Sequence, residues 1–176
     1  MDGKKRVKLE ELLPIIEEKL SAGGTVVLPI TGTSMLPLLV AGRDKVTLKS
    51  AVLPLEKDAI PFYRRDDGAF VLHRKVGEDE NGYVMCGDNQ WVREHGITDK
   101  NIIGEVAFIT RKGKTFSVGS RRYRLYVKLW KFLFPVRKYI VKIRGKLGKH
   151  LRIEFGKVAP SESSAVIPFN IAPQPL

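Results

Sequence analysis

At 176 residues, 43% hydrophobic and 28% charged, the chain can bury one core and make one principal domain with appended ends. A single cysteine, Cys86, excludes an intramolecular disulfide framework and a cysteine-rich metal site, so the composition requires no oxidising compartment. The net charge of +12 is uneven: residues 121 to 149 carry eleven Lys and Arg side chains and no acid, so body and basic segment read as separate functional pieces.

In chain order, Val7 to Ala22 predicts a short amphipathic helix with Leu9, Leu12, Leu13, Ile16 and Leu20 near one face. Pro14 kinks it or marks its start, and Gly23-Gly24 stops it. The N-terminal stretch MDGKKRVKLEELLPIIEEKL is charged throughout and has no uninterrupted apolar run, so it reads as neither a secretory signal nor a membrane anchor. Beyond the glycines the period changes. Strands are expected at Thr25–Ile30, Lys45–Leu48, Ile60–Tyr63, Phe70–Val76, Tyr83–Cys86 and Ile102–Thr110, separated by RDDG, EDENG and GDNQ turns. Cys86 fits a buried strand position. The organisation expected is an N-terminal helix (1–24), a catalytic β domain (25–115), a basic amphipathic helical segment (116–150) and an irregular tail (151–176), with disorder expected from Pro160 on.

Within the basic segment, Arg124, Lys128, Lys131, Lys138, Lys142 and Lys149 recur at steps of three, four or seven, which sets them on one helical stripe. Tyr126, Leu129, Trp130, Leu133, Val136, Tyr139, Ile140 and Ile143 fill the remainder, with a bend at Pro135. Aromatic residues opposite Lys and Arg suit an anionic membrane surface, the helix lying in its plane. A helix packed on the β body with a solvated basic face is the alternative, and nucleic-acid phosphate is a lesser one.

The β body contains TGTSMLPLL at 31 to 39, FVLHRKVG at 70 to 77 and CGDNQWVRE at 86 to 94. Singly these are a turn serine, a core histidine and a turn aspartate. Together they hold a chemistry that needs all three. A hydroxyl is a poor nucleophile until a base takes its proton, and a neutral imidazole needs an acceptor to fix its tautomer. Ser34, His73 and Asp88 supply those roles. Met35 reads as a packing residue under the turn, and Pro37 as the residue that fixes the bend.

The three boxes, in this order, resemble the signal peptidase I superfamily of serine proteases. There a G-x-S-M-x-P box carries the nucleophile, a strand ending in K-R-x-V-G or H-R-x-V carries the base, and G-D-N follows. Ser34 matches the nucleophile, and His73, 39 residues on, the base, with Arg74, Val76 and Gly77 in register. Histidine in place of lysine resembles the endoplasmic-reticulum and spore-former branch. The resemblance covers roughly residues 25 to 110. It implies a signal-peptidase-like or SOS-repressor-like β-barrel in a mainly β, α+β chain, with flanking helices.

Under that resemblance Ser34 attacks a peptide carbonyl, His73 is general base and then acid, Asp88 orients the ring, and Glu94 is the reserve orienter. Many members add a hydroxyl two residues before the nucleophile. Gly32 stands there, which leaves the Ser34 N–H and Thr33 for the oxyanion. Lys75, on the same face as His73 if both lie in one strand, and His95 in an expected loop are rival bases. An imidazole base implies a rate that rises with pH through about 6 to 7. No spacing suggests a metal, and no cofactor is expected. The expected activity is a serine endopeptidase acting on a precursor or leader peptide. The expected location is cytoplasmic, or peripheral on the inner membrane leaflet through residues 121 to 149. The rival classes are a self-cleaving SOS-type repressor and a non-catalytic peptide-binding module. The first uses lysine as base and carries a DNA-binding domain, for which the roughly twenty residues before Gly23 are too few.

Overall fold

The computed structural model describes residues 7–139, 143 and 166–167. The expected tail and the end of the basic segment otherwise lie outside the described residues. Strand β1 (Val7–Lys8) leads into helix α1 (Leu9–Ser21). The helix buries Leu9, Leu12, Ile16 and Leu20 at steps of three and four, the spacing of one helical face. Leu13 is only half-buried, and Pro14 lies inside the helix on its exposed side. The stop is the expected one. Gly24 N–H donates to Lys19 O at 2.9 Å and Gly23 N–H to Leu20 O at 3.0 Å, with Gly23 at φ +77°. This paired closure favours glycine at the left-handed position.

The strands that follow are β2 (Val26–Pro29), β3 (Lys45–Lys49), β4 (Pro61–Arg64), β5 (Phe70–Leu72), β6 (Arg74–Asp79), β7 (Gly82–Cys86), β8 (Glu94–Ile97), β9 (Ile102–Arg111) and β10 (Lys114–Ser117). One antiparallel sheet runs β2-β3-β9-β4-β5, with β10 also on β9, and a second runs β6-β7-β8. A last strand, β11 (Val166–Ile167), pairs with β1. The chain is therefore mainly β with a few helices.

The predicted strand over Phe70–Val76 is two strands. Leu72 pairs with Phe62 in the first sheet, while Arg74 pairs with Cys86 in the second. His73 is the corner residue at which the chain changes sheets, and it is 4% exposed. The larger core joins α1, β2, β3, β4 and β9, whereas Leu55, Tyr63, Tyr83, Met85 and Ile97 form a smaller cluster under the second sheet.

Helix α2 (Arg121–Phe132) starts at Ser120, whose hydroxyl accepts the Tyr123 N–H at 3.3 Å, the usual role of an N-cap serine. Its Tyr123 and Val127 belong to the same core as α1 and β3. Over α2 the basic segment is docked on the β body, the packing alternative of the sequence reading, because one apolar side of the helix completes that core. Residues 134–139 are helical again. Among the described residues no helix is long and apolar enough to cross a membrane.

Candidate active site

The loop between β2 and β3 is closed at its neck. Ile30 N–H donates to Asp44 O at 3.0 Å, and Gly42 N–H to Ile30 O at 2.9 Å. The Asp44 carboxylate, fully buried, accepts the Val40 N–H at 2.8 Å and both donors of Arg43 at 2.7 Å. The Arg43 hydrogen bonds hold its carboxyl below the usual range against the effect of burial. Met35, Leu38 and Leu39 sink into the core beneath the turn. The alternation of apolar anchors with a small hydroxyl therefore leaves Ser34 half-buried on the wall of a cleft. Met35 packs as expected.

That cleft, of about 270 Å³, has Ser34 and His73 on its wall and Leu28, Ile30, Met35, Val46, Phe62, Phe70 and Leu72 among its apolar lining. No hydrogen bond joins Ser34 to His73 among the described residues. The Nδ1 of His73 faces two oxygens, Tyr63 Oη at 3.3 Å and Glu94 Oε2 at 3.5 Å. Tyr63 spends its own proton on Glu94 Oε2 at 2.7 Å, so Nδ1 must be the donor in that group. This tautomer leaves the Nε2 lone pair free, the arrangement a general base requires.

Glu94, the residue expected as reserve, is thus the acid next to the imidazole. Arg65 grips it with Nε on Oε1 and Nη2 on Oε2, the latter at 2.7 Å. Partial burial pushes the Glu94 carboxyl up, but hydrogen bonds from His73, Arg65 and Tyr63 outweigh it and hold the group at about 2 against an ordinary 4.5. A carboxyl depressed on folding contributes stability that is complete above its unfolded value and is lost as pH falls through the folded one. Glu94→Gln is accordingly expected to flatten the fall in melting temperature between pH 4.5 and 2, read by thermal melts across that window. A wild-type slope retained in the variant would show that Glu94 is not the responsible carboxylate.

Asp88, expected to orient the histidine, does not reach it. Its carboxylate is 1% exposed and takes Arg74 in a two-point bond, Nε to Oδ1 at 2.9 Å and Nη2 to Oδ2 at 2.8 Å, with Tyr126 Oη on Oδ2 at 2.9 Å. Trp130 Nε1 donates to the Asp88 carbonyl at 2.9 Å, and Arg74 Nη1 to Tyr123 Oη at 2.7 Å. The reason is charge pairing: Arg74, equally buried on β6, needs an anion, and Asp88 supplies it. The GDN turn contacts Ser34 instead. Asn89 N–H donates to Ser34 O at 2.7 Å, and a Cβ on Gly87 would meet that same oxygen at 2.6 Å, so only glycine allows the two loops this close.

The rival bases point elsewhere. Lys75 Nζ is bound to Leu55 O and Glu78 and lies 4.7 Å from the Tyr83 ring centroid. His95 pairs with Asp79 at 2.5 Å on the surface. Thr33 is exposed beside Ser34. Tyr63, Arg65 and Gln90 join the site without a motif of their own. Gln90 lines the cleft with Oε1 taking the Gly87 N–H at 3.2 Å, which turns its amide nitrogen into a spare donor. A signal existed for Arg65 and Tyr63: both lie in or beside the strand that pairs with FVL of the histidine box. Among the described residues no group of His, Cys, Asp and Glu is arranged to hold a metal ion. Comparison with family models, with curated proteins and with solved structures finds no match for this chain.

Proposed function

We propose that the protein is a serine endopeptidase of the histidine-base type, built on a signal-peptidase-like β-barrel. The observation that carries this reading is His73: a buried imidazole with Nδ1 committed to Tyr63 and Glu94, on the wall of the cleft that Ser34 also lines. His73 Nε2 takes the Ser34 proton as Oγ adds to the peptide carbonyl, then returns it to the leaving amine; water repeats the sequence on the acyl-enzyme. Glu94 holds the positive charge on the ring between the two transfers. Tyr63 and Arg65 are positioning residues. The Ser34 N–H and the Gln90 amide supply oxyanion donors, and a Ser34–His73 hydrogen bond forms only when substrate fills the cleft.

The substrate is an extended segment of a precursor or leader peptide. The sheet ends in β2 and β5, and Leu28, Pro29, Ile30, Phe70, Val71 and Leu72 of these two edges border the cleft. An unpaired edge accepts a peptide as an added strand, and an apolar lining selects apolar side chains between its hydrogen bonds.

A fluorophosphonate probe tests the nucleophile without knowledge of the substrate. Mass spectrometry should find the adduct on Ser34 in the wild type and in Lys75→Met, and lose it in Ser34→Ala and His73→Ala. A wild type that stays unlabelled, or labelling that survives His73→Ala, overturns the reading.

A further inference from the structure

Helix α2 is apolar on two opposite sides. Tyr123, Val127 and Trp130 make one side and are buried against the body. On the other side Leu125, Leu129 and Phe132 are 69%, 57% and 81% exposed. At about 100° per residue these three span roughly 60° of the helix circumference, facing away from the docked side. Beyond the turn at Leu133, Val136, Tyr139 and Ile143 are exposed as well. Single exposed apolar side chains are ordinary, but three on one helix face with further exposed apolar residues beyond it mark a contact surface.

The margins of the row name its occupant. Arg121 and Lys128 fall on one flank of it and Arg122 on the other; all three are exposed, and the sequence from 121 to 149 contains no acid. A nucleic acid would engage the cations and leave Phe132 and Leu129 in water. A second copy would bring the same cations face to face. An anionic bilayer satisfies both features, because acyl chains take the apolar row while phosphates meet the cations beside it. We infer that α2 and the helical residues after it dock the protein on an anionic membrane surface, with Leu125, Leu129, Phe132, Val136 and Tyr139 as the inserted edge. The inserted edge is not the one the periodicity suggests, since Tyr126 and Trp130 are turned inward onto Asp88. This inference is independent of the proteolytic one.

The test is co-sedimentation of the full chain with phosphatidylcholine vesicles, with and without phosphatidylglycerol, at low and high salt. The wild type should pellet with anionic vesicles at low salt, much less at high salt, and stay in solution with neutral ones. Two double variants, Leu129→Ser with Phe132→Ser and Arg121→Glu with Lys128→Glu, should each lower the partition coefficient by about tenfold or more. All four positions are exposed, so circular dichroism should report an unchanged fold. Wild type left in the supernatant at low salt overturns the inference. So does salt-sensitive binding that ignores the Leu129/Phe132 pair, or failure to bind vesicles together with a dimer that this pair dissociates.

Discussion

Ser34→Ala and His73→Ala are each expected to lower cleavage of a peptide mixture by on the order of 10⁴- to 10⁶-fold, since nucleophile and base act as one unit. The fold should survive both. Ser34 contributes its backbone carbonyl, not its hydroxyl, to the contact with Asn89, and the Tyr63–Glu94 bond does not run through the imidazole. Glu94→Gln removes the charge facing Nδ1 while keeping the side-chain shape, and in a serine protease triad the equivalent change costs up to about 10⁴ in rate. Lys75→Met should keep nearly full activity, because that amine is engaged with Leu55, Glu78 and Tyr83, away from the cleft lining. Initial rates by mass spectrometry, read beside a melt of each variant, check the set. An active His73→Ala with a silent Lys75→Met would transfer the base to lysine.

Asp88→Ala is expected to act on stability, at about 3–5 kcal/mol, the cost of stranding one partner of a buried ion pair. Arg74 is 2% exposed and would keep only the Tyr123 hydroxyl and the Asp58 carbonyl as acceptors. The loss also frees Tyr126, whose hydroxyl now donates to the carboxylate. A urea titration should show a lower midpoint, and the double variant Asp88→Ala, Arg74→Met should recover a substantial part, since no charge is then left buried. Removing Asp88 and removing Glu94 are thereby separable: the first lowers the midpoint and spares the imidazole, while the second lowers the rate in addition to its effect on stability. An Asp88→Ala protein that is inactive at an unchanged midpoint would return Asp88 to the imidazole.

Much of this architecture is legible in the chain because it rests on local pattern. VVLP, KVTLK and IIGEVAFITR carry strand-forming residues between turn signals, and the glycine pair after α1 has one good use. EHGI and KTFS, which form β8 and β10, have no alternation to announce them and are strands because a neighbour pairs with them. The corner at His73 is hidden for the opposite reason: FVLHRKV has continuous strand character, and only the two partner strands show where it turns. The motif points Asp88 at the histidine, yet its partners lie 14, 38 and 42 residues away along the chain, a distance over which sequence periodicity carries no information. The same holds for α2. Its period gives a helix, but a helix apolar on two sides does not say which side goes in.

One amide ties that helix to Ser34. The carbonyl of Asp88 and the N–H of Asn89 belong to the same peptide unit; Trp130 donates to the first at 2.9 Å and the second donates to Ser34 O at 2.7 Å. A peptide unit is rigid and planar, so it transmits tilt as a crank does, and hydrogen bonds at its two ends polarise each other. Rolling α2 about its own axis would turn this plane, and with it the pitch of the serine on the cleft wall. Seating of the helix and placement of the Ser34 backbone thus share one peptide plane.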